Sequence, residues 1–155
     1  MKALSVKEPW ATLIIHFGKN TENRSWPTAY RGPLLIHASK GVDLDRDVTA
    51  IGNCFQDSWK DLREYVIQKS PDMRPPLDLP VQIPAINPGY AIGIVDVIGC
   101  DQAMRSPWDE RGQYHWRLRN PRPIEAFMMR GQLGLYDVTM PATEQGKEMG
   151  KYERR

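Results

Sequence analysis

Cysteine is scarce in this chain. Cys54 and Cys100 are the two in 155 residues, far apart and outside any C-x-x-C spacing. That excludes a disulfide framework and a cysteine-rich zinc knuckle. The three histidines, His16, His37 and His115, show no H-x-x-x-H spacing, so neither a metal nor another cofactor is expected. No stretch approaches the ~18 apolar residues of a membrane span. The start, MKALSVKEPW, carries Lys2, Lys7 and Glu8 and lacks the apolar region of a signal peptide. A cytoplasmic, non-membrane protein is therefore expected. There is no internal repeat, and neither sign of charge dominates: 21 Lys and Arg face 19 Asp and Glu, for a net +2. Such a balance permits a nucleic-acid partner only if the basic residues gather on one face.

What is present is one domain's worth of chain, 41% hydrophobic and 26% charged, long enough to bury a core. Residues 2–6 read as a short strand. Pro9 then sits where a helix start tolerates it, and Trp10, Leu13, Ile14 and Phe17 follow at helical spacing until Gly18. Leu34, Leu35 and Ile36 form a compact apolar run suited to a buried strand. Residues 44–69 carry the longest helical pattern, through Val48, Ile51, Phe55, Leu62 and Val66, with Gly52 as a possible break. Six prolines in residues 71–88 forbid regular structure and predict a surface connector. GYAIGIVDVIGC reads as a long strand bent at Gly93 or Gly99, YHWRLRN as a half-exposed strand and GQLGLYDVTM as a last one. A single domain over residues 1–140 and a charged, disordered tail over 141–155 are expected. Strands separated by irregular gaps point to an α+β fold, a small mixed barrel with helices packed on it.

The segment GKNTENRSW concentrates Lys19, Glu22, Arg24, Ser25 and Trp26 at the helix exit. Read plainly, it is a solvated turn whose ion pair contributes about 0–1 kcal/mol. Its neighbours support a second reading. Tyr30 and Arg31 follow, and then a strand ends in His37, Ala38, Ser39 and Lys40. A cleft lined by Lys, Arg, His and Trp suits a phosphate and a base, and Glu22 in it would accept from an exocyclic amine or move a proton. His37 reads equally as a buried strand histidine, and Trp26 as a core anchor. In YHWRLRNPR, His115, Arg117 and Arg119 share one strand face and Trp116 and Leu118 the other. The arginines are then a solvated face or a phosphate-tracking stripe. Asp96 reads as a buried acid or as an exposed strand residue.

The stretch PWATLIIHFGKNTENRSWPTAYRGPLLIHASK resembles the opening of an ASCH domain. It has a Pro-Trp-Ala helix start, a K-x-x-E-x-R block, Tyr30-Arg31-Gly32, and a strand ending near His37-Ala38. AIGIVDVIGCDQ resembles the family's central strand, and YHWRL and RGQLGLYDV its closing strands, so the resemblance runs over residues 3–138. It implies a PUA-like β-barrel with flanking helices and a cleft at the K-x-x-E-x-R block that receives RNA or a nucleotide-like ligand. Some relatives of this fold resemble amidohydrolases that deacylate N4-acylated cytidine with a Lys, a Thr and a Glu. Lys19 matches that Lys by place, and Thr21 and Ser25 are the nearby hydroxyls. Glu22 stands where those enzymes tend to carry Thr, and no residue here is matched to their distant Glu. Other relatives are described as ribonucleases, a role with no assigned residues here.

Two classes of function follow. One is a binding domain for RNA or single-stranded nucleic acid, using Lys19, Glu22, Arg24, Ser25, Trp26, Arg31, His37, Lys40, Arg117 and Arg119. The other is a small hydrolase of a modified nucleoside or of RNA, with Lys19, Thr21 and Glu22 as its catalytic set.

Overall fold

Leu34, Leu35 and Ile36 are all completely buried, as a strand enclosed on both faces requires. They lie in the middle of a six-stranded sheet. The structure, a computed structural model, describes residues 1–42, 59–75 and 87–142. Its elements in chain order are β1 (Lys2–Glu8), α1 (Trp10–His16), β2 (Thr21–Arg24), β3 (Gly32–Val42), α2 (Trp59–Lys69), β4 (Tyr90–Asp101), β5 (Tyr114–Met128) and β6 (Leu135–Asp137). The sheet runs β2-β5-β4-β3-β1-β6. Only β1 and β3 pair in parallel; every other neighbouring pair is antiparallel. The α+β class expected from the sequence is what the structure shows.

The barrel is not. Closure needs hydrogen bonds between the two end strands, and among the described residues β2 pairs only with β5 and β6 only with β1. These end strands are four and three residues long, too short to carry a seam. The sheet bends instead, through irregularities in the β4–β5 register near Gly93, Val95 and Ile98 and through Asn120 at φ 51°.

Period-2 alternation splits the core in two. Leu4, Leu34, Ile36, Val95, Val97 and Trp116 face α1 on one side. Ala3, Leu35, Ala91, Ile94 and Tyr136 make a smaller cluster on the other. Helix α1 follows the expected stripe with two differences. Ala11, Thr12 and Ile15 are buried as well, because the helix lies close on the sheet. A Cβ on Gly93 would stand 2.5 Å from Ile15 Cδ1. Trp10, expected in the core face, is only half-buried. Gly18, at φ 71°, ends the helix as predicted.

Of the long helix expected over 44–69, residues 59–69 form α2, with Val66 buried; Val48, Ile51, Gly52, Cys54 and Phe55 lie outside the described residues. So do 76–86 of the proline-rich connector and 143–155 of the tail. The connector's described start is pinned to the body: Met73 is buried, and the Arg74 amide donates to the Pro107 carbonyl at 2.6 Å. Among the described residues, no helix is long and apolar enough to cross a membrane.

Candidate functional site

Alternation along β2 divides the GKNTENRSW segment into two jobs. Glu22 and Arg24 turn toward a cleft of about 460 Å³, which Lys19, Ser25 and Trp26 also line. Thr21 and Asn23 turn the other way and hold the loop that leads into β5. The turn at Gly18 brings Lys19 back over α1, with its amide donating to the Leu13 carbonyl at 3.1 Å.

The Lys19 side chain is 2% exposed. Its Nζ donates to the Thr21 carbonyl, lies 3.7 Å from Glu22 Oε2 and sits 5.8 Å from the centre of the Trp10 ring. Arg24 Nε donates to Glu22 Oε1 at 2.8 Å, and its Nη2 to the Ser5 carbonyl at 2.7 Å. Exposure rises along the row, from Lys19 on the floor to Arg24, 23% exposed, at the mouth. Burial holds the Lys19 ammonium below its usual pKa; Glu22 opposes this, Arg24 adds to it and Glu110 opposes it. Two cations share one carboxylate in the row, and Glu110 is a second carboxylate on the cleft wall. Trp26 lies between the cleft and the core. It lines the cleft, and its ring meets Trp116 edge-on at 4.7 Å, with Trp116 Nε1 donating to the Trp26 carbonyl.

On the other side of β2, Thr21 Oγ1 donates to Asp109 Oδ1 at 2.8 Å. Asn23 donates to the Trp108 carbonyl and accepts from the Glu110 amide. The fully buried Asp109 also receives Arg117 Nη1 at 2.7 Å and the amides of Arg105 and Ser106. Burial alone would raise its pKa, but the bonds from Arg117, the two amides and Thr21 outweigh it and hold the carboxyl below its usual range. Arg117 reaches Asp101 as well, at 2.7 Å, and its hydrogen bonds bring that acid down to about 2. His115, completely buried, bridges the carbonyls of Ala103 and Glu110.

The remaining expected residues are therefore dispersed. Thr21 is not among the residues that line the cleft, and its hydroxyl is engaged by Asp109. Arg117 is engaged by two aspartates, and Arg119 is exposed beyond it on β5. Arg31 is exposed and bonds the carbonyls of Thr28 and Tyr30. Asp96 is partly buried and pairs with Arg122 and Asn120. His37 and Lys40 line a neighbouring hollow and not the Lys19 cleft. His37 Nδ1 is 3.0 Å from Ser5 Oγ, which is 3.0 Å from the Tyr136 hydroxyl. Burial lowers the His37 pKa, with the carbonyls of Gly89 and Met129 pulling the other way.

Sequence reasoning missed Lys7, Trp10, Glu110, Gln113 and Gln132 as cleft residues. Trp10 carried a signal, since an indole at the first position of a seven-residue helix sits at the helix's open end. Gln113 and Gln132 carried none. Among the described residues, no group of His, Cys, Asp or Glu side chains is placed to hold a metal.

Activating signal cointegrator 1 of Homo sapiens is 33% identical over 97 residues, which is 63% of this chain and 14% of that protein. Its Mus musculus counterpart is 32% identical over the same shares. The matched stretch is thus a small part of these relatives' length. The ASCH domain model matches residues 4–133, which run from within β1 to beyond β5 and include Lys19, Glu22 and Arg24, and the chain belongs to the ASCH domain family.

Proposed function

We propose that the chain binds RNA and that the Lys19 cleft receives one of its nucleotides. The observation that carries this reading is the row of Lys19, Glu22 and Arg24 in one nucleotide-sized cleft with two indoles, Trp10 and Trp26. Arg24 faces a phosphate or a base carbonyl, Glu22 accepts from an exocyclic amine, and an indole offers a face for the base. Membership in a family associated with RNA binding supports it.

The test is fluorescence anisotropy with a single-stranded RNA. Arg24→Ala weakens binding by about tenfold or more, as loss of a charged hydrogen bond does, with thermal stability checked alongside. Equal affinity in parent and variant would overturn the reading.

A hydrolytic reading draws on the lowered pKa of Lys19, since a neutral lysine is a base or nucleophile. The Thr21 hydroxyl it calls on is engaged by Asp109, which leaves Ser25, exposed on the cleft wall. We therefore place binding ahead. Incubation with N4-acetylcytidine is expected to release no acetate; release that disappears in Lys19→Ala would reverse that order.

A further inference from the structure

A second hollow, of about 740 Å³, adjoins the cleft, and Ser5, Ser39, Gln132 and Leu133 line both. Its own walls are Lys40 at the end of β3, Gly89 before β4, and Met128 to Gly131. Lys40 and Arg130 are its cations, and among the described residues no carboxylate lines it. Among the described residues neither cation has a hydrogen bond or ion pair. Beside them Met128 is 71% exposed and Leu133 99% exposed, the barest large apolar side chains among the described residues.

The backbone that presents these groups is held down. The Met129 amide donates to the Gly89 carbonyl at 3.1 Å. Gly131 lies so close to the floor that a Cβ there would meet His37 Cε1 at 2.6 Å and Ser5 Oγ at 2.8 Å. Gly89, at φ 89°, leaves room for the Lys40 stem, which passes 3.1 Å from where its Cβ would be. Bare apolar groups beside uncommitted cations on a fixed backbone match a strand that alternates flat bases with phosphates.

We infer that this hollow takes the next nucleotide of the same single-stranded RNA, its phosphates on Lys40 and Arg130 and its base on Met128 and Leu133. The inference rests on the nucleotide reading of the Lys19 cleft, with which the hollow is continuous.

Cytidine monophosphate and a fluorescein-labelled hexacytidylate, whose bases carry the exocyclic amine that Glu22 would accept from, separate the two sites on the full chain. The monophosphate is read by competition, and the hexamer by anisotropy at several salt concentrations. The double variant Lys40→Ala, Arg130→Ala changes only exposed groups. It should weaken the hexamer about tenfold and flatten its log–log salt slope by roughly 0.7 per phosphate released, leaving the monophosphate unchanged. Arg24→Ala should weaken both ligands. A hexamer indifferent to the double variant, with both ligands weakened by Arg24→Ala, overturns the second site and keeps the cleft. A hexamer lost in the double variant, with neither ligand sensitive to Arg24→Ala, overturns the shared strand and the cleft together. Absence of binding by either ligand removes both readings.

Discussion

A lysine 2% exposed requires a counter-charge close by. Lys19 has Glu22 at 3.7 Å, and Glu22 is shared with Arg24 at 2.8 Å. Glu22→Gln leaves the Lys19 charge stranded, at a cost of about 3 kcal/mol, the lower end of the range for a broken buried pair because Arg24 can turn to water. Adding Lys19→Met removes the stranded charge, so the double variant should be more stable than Glu22→Gln alone in urea denaturation. A double variant no more stable than the single one would show that Lys19 does not lean on Glu22. Glu8 gives a second measurable case. It is completely buried, accepting from the Thr12 amide at 3.1 Å and hydroxyl at 2.9 Å. Burial outweighs these bonds and raises its pKa to about 7. The folded state thus holds this proton more tightly than the unfolded chain. Its contribution is complete below the ordinary value of 4.5 and is lost as pH rises through about 7. The shift corresponds to about 3 kcal/mol. His16 and His37, both lowered, pull stability the opposite way just below their unfolded pKa, so the measurement is the gap between parent and Glu8→Gln. That gap should move by about 3 kcal/mol against the parent from pH 4.5 to pH 8; parallel curves would refute the perturbed carboxyl.

Helix α1 comes closest to the backbone of strand β4 at Gly93. Ile15 packs where a Gly93 side chain would go, with Cδ1 at 2.5 Å and Cγ1 and Cγ2 at 2.8 Å from where a Cβ would stand. Gly93→Ala should cost about 1–3 kcal/mol by overpacking. Because the clash is with one side chain, its cost should shrink on an Ile15→Ala background, and equal costs on both backgrounds would place the strain elsewhere. Gly93 was legible as an irregularity in a strand, since glycine interrupts an Ile- and Val-rich run. Its helix partner was not, because contact between elements leaves no local pattern. The same limit applies to β5. Alternation correctly set Trp116 and Leu118 inward and Arg117 on the opposite face. It gave no sign that Asp101 and Asp109 would occupy that guanidinium, since the loop from β4 to β5 folds back by turns that periodicity does not encode. In GKNTENRSW the charged residues were legible as a group, but their division came only with β2 as a strand. Glu22 and Arg24 then share one face, and Thr21 and Asn23 the other.

At the scale of the whole molecule, the strand order was beyond the sequence pattern. Parallel pairing of β1 with β3 joins strands separated by α1 and β2, and the open ends of the sheet depend on how short β2 and β6 are. Charge behaves likewise. A net charge of +2 gives no strong overall field, so any RNA must be held by cations gathered locally, whether free or, like Arg24, sharing a carboxylate. Aspartates take up Lys2, Arg111, Arg117 and Arg122. Lys7 and Arg24 border the cleft, and Lys40 and Arg130 the hollow beside it. Arg119 stands apart, on β5. If these four border cations hold the strand, the log–log salt slope of oligonucleotide binding should lie between roughly −2 and −3, at about −0.7 per phosphate. Arg119→Ala should leave that slope unchanged, whereas Lys7→Ala should flatten it. A steeper slope that relaxes in Arg119→Ala would carry the RNA along β5 instead, away from the two hollows.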